Sequence, residues 1–370
     1  MIRILHVIGS LNIGGSQTMI MNIYRNIDRR KIQFDFIVDH PEQLYFADEI
    51  YKMGGKIYFM PTFKFVNFLK VKKMWRDFFN NHKEYKILHS HVRSYAFLYL
   101  PIAKKCGLKT IIHSHSTSNG KGILAGIKNI LQYPLRYQAN YFFGCSQKAG
   151  LWLFGKKIVR GSKYYRIPNA IDLEKYKFRG DIREKYKFNL DLGNGRIFIH
   201  VGRLHPAKNH FFLLDIFAEW VKKYPEDVLL IVGEGELRTK IEKKINELKL
   251  EESIKMLGSR DDIPFLLQVA DCFLFPSKWE GLPVTVIEAQ AAGLPCIIST
   301  EVTDEVCITP LIIKIPINNG IQCWIETMDR LDYKRKDVRN NIRQAGFDIN
   351  TTSNWLRDFY IKISEDKNEE

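Results

Sequence analysis

Short, continuous apolar runs recur along this 370-residue chain, each followed by a longer helical stretch, and this alternation constrains the fold most. The first run, "IRILHVIG" (2–9), leads through "SLNIGGSQ" into "TMIMNIYRNI", which reads as strand, glycine turn and helix. "FDFIVD" (34–39), "KIYFMP" (56–61), "YKILHSH" (85–91), "KTIIHSH" (109–115) and "YFFGCS" (141–146) continue the series. It restarts near residue 195 with "RIFIHVGR" (196–203), "VLLIVGEG" (228–235) and "SIKMLG" (253–258). "CFLFPS" (272–277), "PCIIST" (295–300) and "LIIKIP" (311–316) complete it. Runs that are apolar throughout belong to parallel strands covered on both faces. Their alternation with helices makes the chain α/β.

The length suits two domains, each with its own core. The charged, glycine-bearing stretch 172–195 reads as the linker between them. The expected architecture is two doubly wound, Rossmann-like domains facing a cleft: residues 1–175, then residues 176–350. Residues 351–370 are expected to form a helix packing back toward the first domain, ending in the acidic tail "SEDKNEE". Ligands of such sheets lie beyond the carboxyl ends of the strands, so the loops there are the places to search.

Composition excludes several other classes. The longest apolar runs, such as "YAFLYLPIA" (95–103), reach only about half of a membrane span. The amino terminus turns polar too early for a secretory signal, so a cytoplasmic location is expected. No two of the six cysteines stand at metal-finger or redox spacing, and free thiols are expected. The charge is uneven: residues 1–180 hold 30 Lys and Arg against 10 Asp and Glu, whereas residues 181–370 hold 26 against 31. A basic half implies an anionic partner.

The strand-end loops carry the chemistry. In "HVGRLHPAKNH" (200–210), Gly202 turns the chain and Arg203 and Lys208 follow. A guanidinium fork and an ammonium suit a diphosphate, although two surface cations would look the same. In "IVGEGEL" (231–237), Gly233 and Gly235 make a tight turn without the full dinucleotide fingerprint. The stretch "PSKWEGLPVTVIEAQAAGLP" (276–295) sets Glu280 before Gly281, Leu282, Pro283 and Val284, and places Glu288 inside the helix that follows. Pro283 suits the first helical position, and the unpaired amides there accept anionic oxygens. A carboxylate accepts hydrogen bonds from a vicinal diol, and a nucleotide sugar has such a diol at each end with a diphosphate between. In the first half, Gly14 and Gly15 permit close backbone approach to a ligand. The two "HSH" strand ends (89–91 and 113–115) present histidines there. No Asp-x-Asp triplet offers a metal clamp, so cations must stabilise the leaving group.

Taken together, the glycine loop, "GCSQ", "IPNAID" (167–172), "VGRLHPAKN", "IVGEGEL", the run from "LGSRDD" to "PCIIS" and the late "GFDI" resemble the retaining GT-B glycosyltransferases of family 4. The likeness is strongest to the bacterial capsule and exopolysaccharide type. It implies transfer of a hexosyl or N-acetylhexosaminyl unit from a nucleoside diphosphate sugar, UDP favoured, to a hydroxyl of a glycan acceptor, with no metal or other cofactor. It also implies residue roles. Arg203 and Lys208 match the basic pair on the donor diphosphate, Glu280 the acid at the transferring sugar, and Glu288 the one on the ribose. Gly15 matches the phosphate-approaching loop, and His115 the histidine near the reacting centre, with His113 as its alternate. The donor site would be Gly14, Gly15, Gly202, Arg203, Lys208, Gly233, Glu280, Gly281, Leu282, Pro283, Val284 and Glu288. Ala170 stands where the family usually has glycine, which would alter the hinge turn if that turn needs a positive φ.

Two other classes fit the layout: a nucleotide-sugar epimerase, which needs no acceptor, and a nucleic-acid-binding protein. For the latter no zinc spacing, RNA-binding signature or basic zipper is visible, and no nucleic-acid partner is expected. The basic half points instead to an anionic membrane surface carrying a lipid-linked acceptor, reached from the inner face of the plasma membrane. Residues 63–79, "FKFVNFLKVKKMWRDFF", and 122–137, "GILAGIKNILQYPLRY", have the composition of interfacial helices.

Overall fold

The computed structural model describes residues 1–116 and 129–366. The chain divides into two compact units: Met1–Ile171 together with Asp348–Glu370, and Asp172–Phe347. Each is built on one wholly parallel sheet with helical crossovers.

The first unit's sheet has the order β3-β2-β1-β4-β5-β6-β7. Its strands are β1 (Ile2–Val7), β2 (Ile32–Val38), β3 (Ile57–Phe59), β4 (Ile87–Ser90), β5 (Lys109–Ser114), β6 (Tyr141–Gly144) and β7 (Tyr164–Arg166). The second unit's order is β10-β9-β8-β11-β12-β13. It comprises β8 (Ile197–Val201), β9 (Val228–Val232), β10 (Ile254–Gly258), β11 (Cys272–Phe275), β12 (Cys296–Ser299) and β13 (Ile312–Ile315). In each sheet the order reverses beside the first strand, at β1/β4 and at β8/β11, where doubly wound sheets bind ligands.

β7 escapes the apolar-run criterion because it is a short edge strand of Tyr, Tyr and Arg. The segment 172–195 is not a linker but part of the second unit, with a 3₁₀ turn at Leu173–Tyr176 and a helix at Gly180–Asn189. Arg183 fastens that helix, reaching the carbonyls of Val269 and Ala270 and pairing with Asp271 at 2.8 Å. The docking is polar, so an apolar pattern could not reveal it. The units accordingly divide after Ile171 and Phe347, rather than after 175 and 350.

Asp348 caps the helix Ile349–Glu365, its carboxylate accepting from the Thr351 amide at 3.2 Å. Leu356, Phe359, Tyr360 and Ile363 pack into the same core as Ile4, Phe34, Ile87, Ile111 and Phe143. Ala170 is buried and takes no left-handed φ, so the missing glycine does not strain that turn. None of the six cysteines forms a disulfide.

Of the two interfacial candidates, residues 63–79 form a 3₁₀ turn and the helix Phe68–Asn81. Val71, Trp75 and Phe79 are buried, while Phe65, Val66 and Leu69 project into solvent. Most of the second candidate, and the end of the acidic tail, lie outside the described residues. Among the described residues no helix is long and apolar enough to cross a membrane.

Candidate active site

In the second unit the chemistry gathers where β8 and β11 end. Gly202 follows β8, and a Cβ there would lie 2.9 Å from Lys208 Cε, so the glycine makes room for that side chain. Lys208 is only 16% exposed and its Nζ lies 2.8 Å from Glu280 Oε1, itself 14% exposed. The two meet as an ion pair off the direction of a hydrogen bond. The Phe275 ring lies 4.5 Å beneath the ammonium. Removing one member of so enclosed a pair strands the other charge, at a cost of about 3–5 kcal/mol.

Arg203, read from the sequence as the partner of Lys208, stands apart. It is 71% exposed and reaches only Glu236, at 3.5 Å. Gly233 has φ +138°, and a Cβ on it would meet the Gly202 carbonyl oxygen at 2.1 Å. Its role in this structure is the close approach of two strand-end loops, which any side chain would prevent.

The second acid sits on the helix Val284–Ala291. Pro283 is its N-cap rather than its first residue, and no side chain caps the amides that follow. Gly281 faces open space, so packing does not demand a glycine there. Leu282 and Val284 are partly buried beside it. Glu288 Oε1 accepts a hydrogen bond from Tyr176 Oη at 2.8 Å. Burial raises the Glu288 pKa, and the Tyr176 bond opposes that rise. Tyr176 went unnoticed in the sequence because it lies in the stretch read as linker.

In the first unit, Gly14 is the N-cap of the helix Gly15–Asn26, with neither a capping side chain nor an acid in the first turn. Gly15 is exposed and its missing Cβ would touch nothing closer than Asn169 Nδ2, at 4.0 Å. Its amide end is therefore open.

At the carboxyl edge of this sheet stand five histidines. Strand register pairs His6 with His89 directly across β1 and β4. The period of two sends His89 and His91, and likewise His113 and His115, to one face. Ser90 and Ser114 turn the other way, to Tyr99 and to the Ala149 carbonyl. A hydrogen-bonded chain runs from His6 Nδ1 to His91 Nε2 (3.0 Å) and from His91 Nδ1 to His115 Nε2 (2.8 Å). His115 is partly exposed, whereas His113 is fully buried and stacks on it at 4.0 Å. Burial lowers His6 and His115 to about 3, with the Arg93 charge adding to the effect on His115. Burial also holds His89, His91 and His113 well below the usual value, against a weak contribution from the Ile167 backbone at His113. His6 was missed because it stands singly in an apolar strand. The second unit has a smaller counterpart in His200 and His210, with His210 lowered by burial to about 4.

Both units are doubly wound parallel sheets, and the second sets a cation, an acid and an uncapped helix end at the ends of its central strands. Two family models match in tandem: Glycosyltransferase Family 4 over residues 13–175 and Glycosyl transferases group 1 over 182–307. The chain is 31% identical to EpsF of Bacillus subtilis, which carries a glycosyltransferase assignment, over 99% of this chain and 98% of that one. It is 30% identical, over 77% of each chain, to the UDP-Gal:alpha-D-GlcNAc-diphosphoundecaprenol alpha-1,3-galactosyltransferase of Escherichia coli. The chain belongs to the group 1/family 4 glycosyltransferases and is a glycosyltransferase with the GT-B fold. Its relatives include enzymes of capsular polysaccharide biosynthesis, such as CapH of Staphylococcus aureus at 24% identity over 98% of this chain and 99% of that one. Among solved structures, Anabaena HepE in complex with UDP superposes with a TM-score of 0.79 at 17% identity, covering 98% of this chain and all of that one.

Proposed function

We propose that this enzyme transfers a sugar, with retention and without a metal, from a UDP-sugar to a hydroxyl of a lipid-linked glycan in cell-surface polysaccharide biosynthesis. The observation that carries the reading is the enclosed Lys208–Glu280 pair next to the uncapped helix bearing Glu288. A diphosphate arriving there replaces Glu280 as the partner of Lys208, freeing the carboxylate for the sugar hydroxyls. Arg203, already solvent-facing, swings onto the same phosphates. Glu288, steadied by Tyr176, takes the ribose diol through its remaining oxygen.

In the transfer step the bond from the anomeric carbon to the phosphate oxygen breaks and the nucleoside diphosphate leaves. The acceptor oxygen attacks from the same face and its proton passes to the departing phosphate. Lys208 and Arg203 hold the negative charge that develops. His115, the partly exposed member of its doublet, is assigned to the reacting centre, and Gly14 and Gly15 to backbone approach to the donor phosphates. Support for the donor and the acceptor class comes from the name of the galactosyltransferase relative.

A panel of nucleotide sugars screened by thermal shift, followed by transfer and NMR of the product's anomeric proton, tests the reading. The expected result is stabilisation by one UDP-sugar and a product of unchanged anomeric configuration. An inverted product, turnover of donor with no acceptor consumed, or full dependence on magnesium or manganese overturns it.

The acceptor would be reached through the first unit's basic face. Phe65, Val66 and Leu69 project beside a cavity of about 440 Å³ lined by Phe68, Lys72, Arg76, Phe97, Ile102 and Lys105. Each Lys or Arg near an anionic surface contributes about 1 kcal/mol, screened by salt. The protein should sediment with anionic vesicles at low salt and be released at high salt; failure to sediment at low salt removes membrane docking.

A further inference from the structure

We propose that His6, His89 and His91 form a binding site for one divalent transition-metal ion of the zinc, copper or nickel class. The register of β1 and β4 sets His6 and His89 side by side, and His91 follows on the same face. Each offers a nitrogen within 4.8 Å of the other two, and one His6–His91 pair of nitrogens already stands at 3.0 Å. Ligand nitrogens at about 2.0–2.1 Å from a tetrahedral ion lie about 3.4 Å apart. The three rings therefore need shifts on the order of 1 Å to close on a metal.

The cluster also holds an unmet valence. His89 Nε2 is buried in a side chain only 2% exposed and has no hydrogen-bond partner. A buried polar atom left unpaired costs about 1–3 kcal/mol and calls for an ion or a water. His89 also carries the outer contact that ligating histidines use, its Nδ1 lying 2.6 Å from Tyr360 Oη. With Nδ1–H donating to the phenol oxygen, the Nε2 lone pair is free for a metal. Three imidazoles with no carboxylate exclude magnesium and calcium, which take oxygen ligands, and suit borderline ions.

His91, His113 and His115 also meet the spacing. The Arg93 charge acts on His115, however, and would repel a cation there. No such effect of Arg93 is resolved at His6, His89 or His91, and that selects their triad. The site is separate from the donor chemistry, and transfer does not require it. Its connection to the reaction is His91, whose Nδ1 is bonded to His115 Nε2. An ion on His91 restricts where that imidazole carries its proton, and hence whether His115 Nε2 donates or accepts.

The test uses the full-length, untagged protein, stripped with a chelator and titrated with cobalt(II) chloride, read by visible d–d absorption and by competition with zinc. One cobalt per chain, displaced by zinc, is expected. His6→Gln and His89→Gln should each weaken binding at least tenfold, and His113→Gln should change it less than about twofold. Tyr360→Phe, which keeps the ring and hence the packing, should weaken binding by about 10–100-fold and serves if the histidine variants fail to fold. Absence of d–d bands at millimolar cobalt overturns the site, as does unaltered affinity in Tyr360→Phe and His89→Gln. Loss on His113→Gln with retention on His6→Gln overturns the choice of triad.

Discussion

The two units share one architecture and arm the same position in it differently. At and beside the β1/β4 switch point the first unit gathers five neutral imidazoles, of which His6, His89 and His113 are buried, in contact mostly with one another and with aromatic rings. At the β8/β11 switch point the second unit holds opposite charges, Lys208 against Glu280, with Glu288 and an open helix end close in sequence. A parallel sheet thus supplies a place, and the residues set there decide whether it handles charge or withholds it. The surfaces are inverted relative to the sites: the basic residues crowd the half whose interior site is uncharged.

The largest way to break this comparison is acid. An imidazole held neutral by burial has a folded pKa below the unfolded value near 6.5, so its contribution is fully present above that pH. It is lost as pH falls toward the folded value, at about 1.4 kcal/mol per pH unit for each histidine that stays neutral. Five such residues in the first unit against two in the second predict that the first opens first. Hydrogen exchange of the chelator-treated protein between pH 7.5 and 5 should show β1, β4 and β5 losing protection before β8 and β11. Simultaneous loss in both sheets would mean that the histidines do not set acid stability.

Next in size is the charge of the Lys208–Glu280 pair. Lys208→Ala should lower kcat by about a hundredfold or more, the scale for removing one transition-state donor. Arg203→Ala should cost less, because that side chain has not been fixed in advance. Circular dichroism must accompany the assay, since the substitution also strands Glu280. Equal losses for the two variants would erase the distinction between the enclosed and the exposed cation.

The two acids sharpen the comparison further. Glu288→Ala should weaken binding of bare UDP by about 1.5–3 kcal/mol. Glu280→Ala should spare UDP affinity and depress turnover instead. Calorimetry with UDP separates them, and unchanged affinity in Glu288→Ala would remove the ribose assignment. The smallest effect expected is none: a strong chelator should leave the transfer rate intact, because cations of the chain supply what a magnesium ion would.

Much of this was legible before any coordinates. Twelve of the thirteen strands among the described residues announce themselves as apolar runs, because burial on both faces of a parallel sheet demands them. The loops bearing Gly14, His115, Arg203 and Glu280 were recognisable because each follows such a run. Strand β7, the stretch around Tyr176 and Arg183, and the place of His6 were not, because polar anchoring and single residues leave no periodic trace.

The sequence by itself therefore determined the α/β class, the pair of parallel sheets and which candidate residues follow strand ends, since hydrophobic period and turn residues act locally. Tertiary structure alone decided that Lys208 meets Glu280 and not Arg203. It decided too that Tyr176 steadies Glu288, that Tyr360 returns from the far end of the chain to His89, and that five histidines from three strands become one cluster. Such contacts depend on strand order and register, which are settled by how whole sheets bury their faces rather than by any neighbourhood of residues.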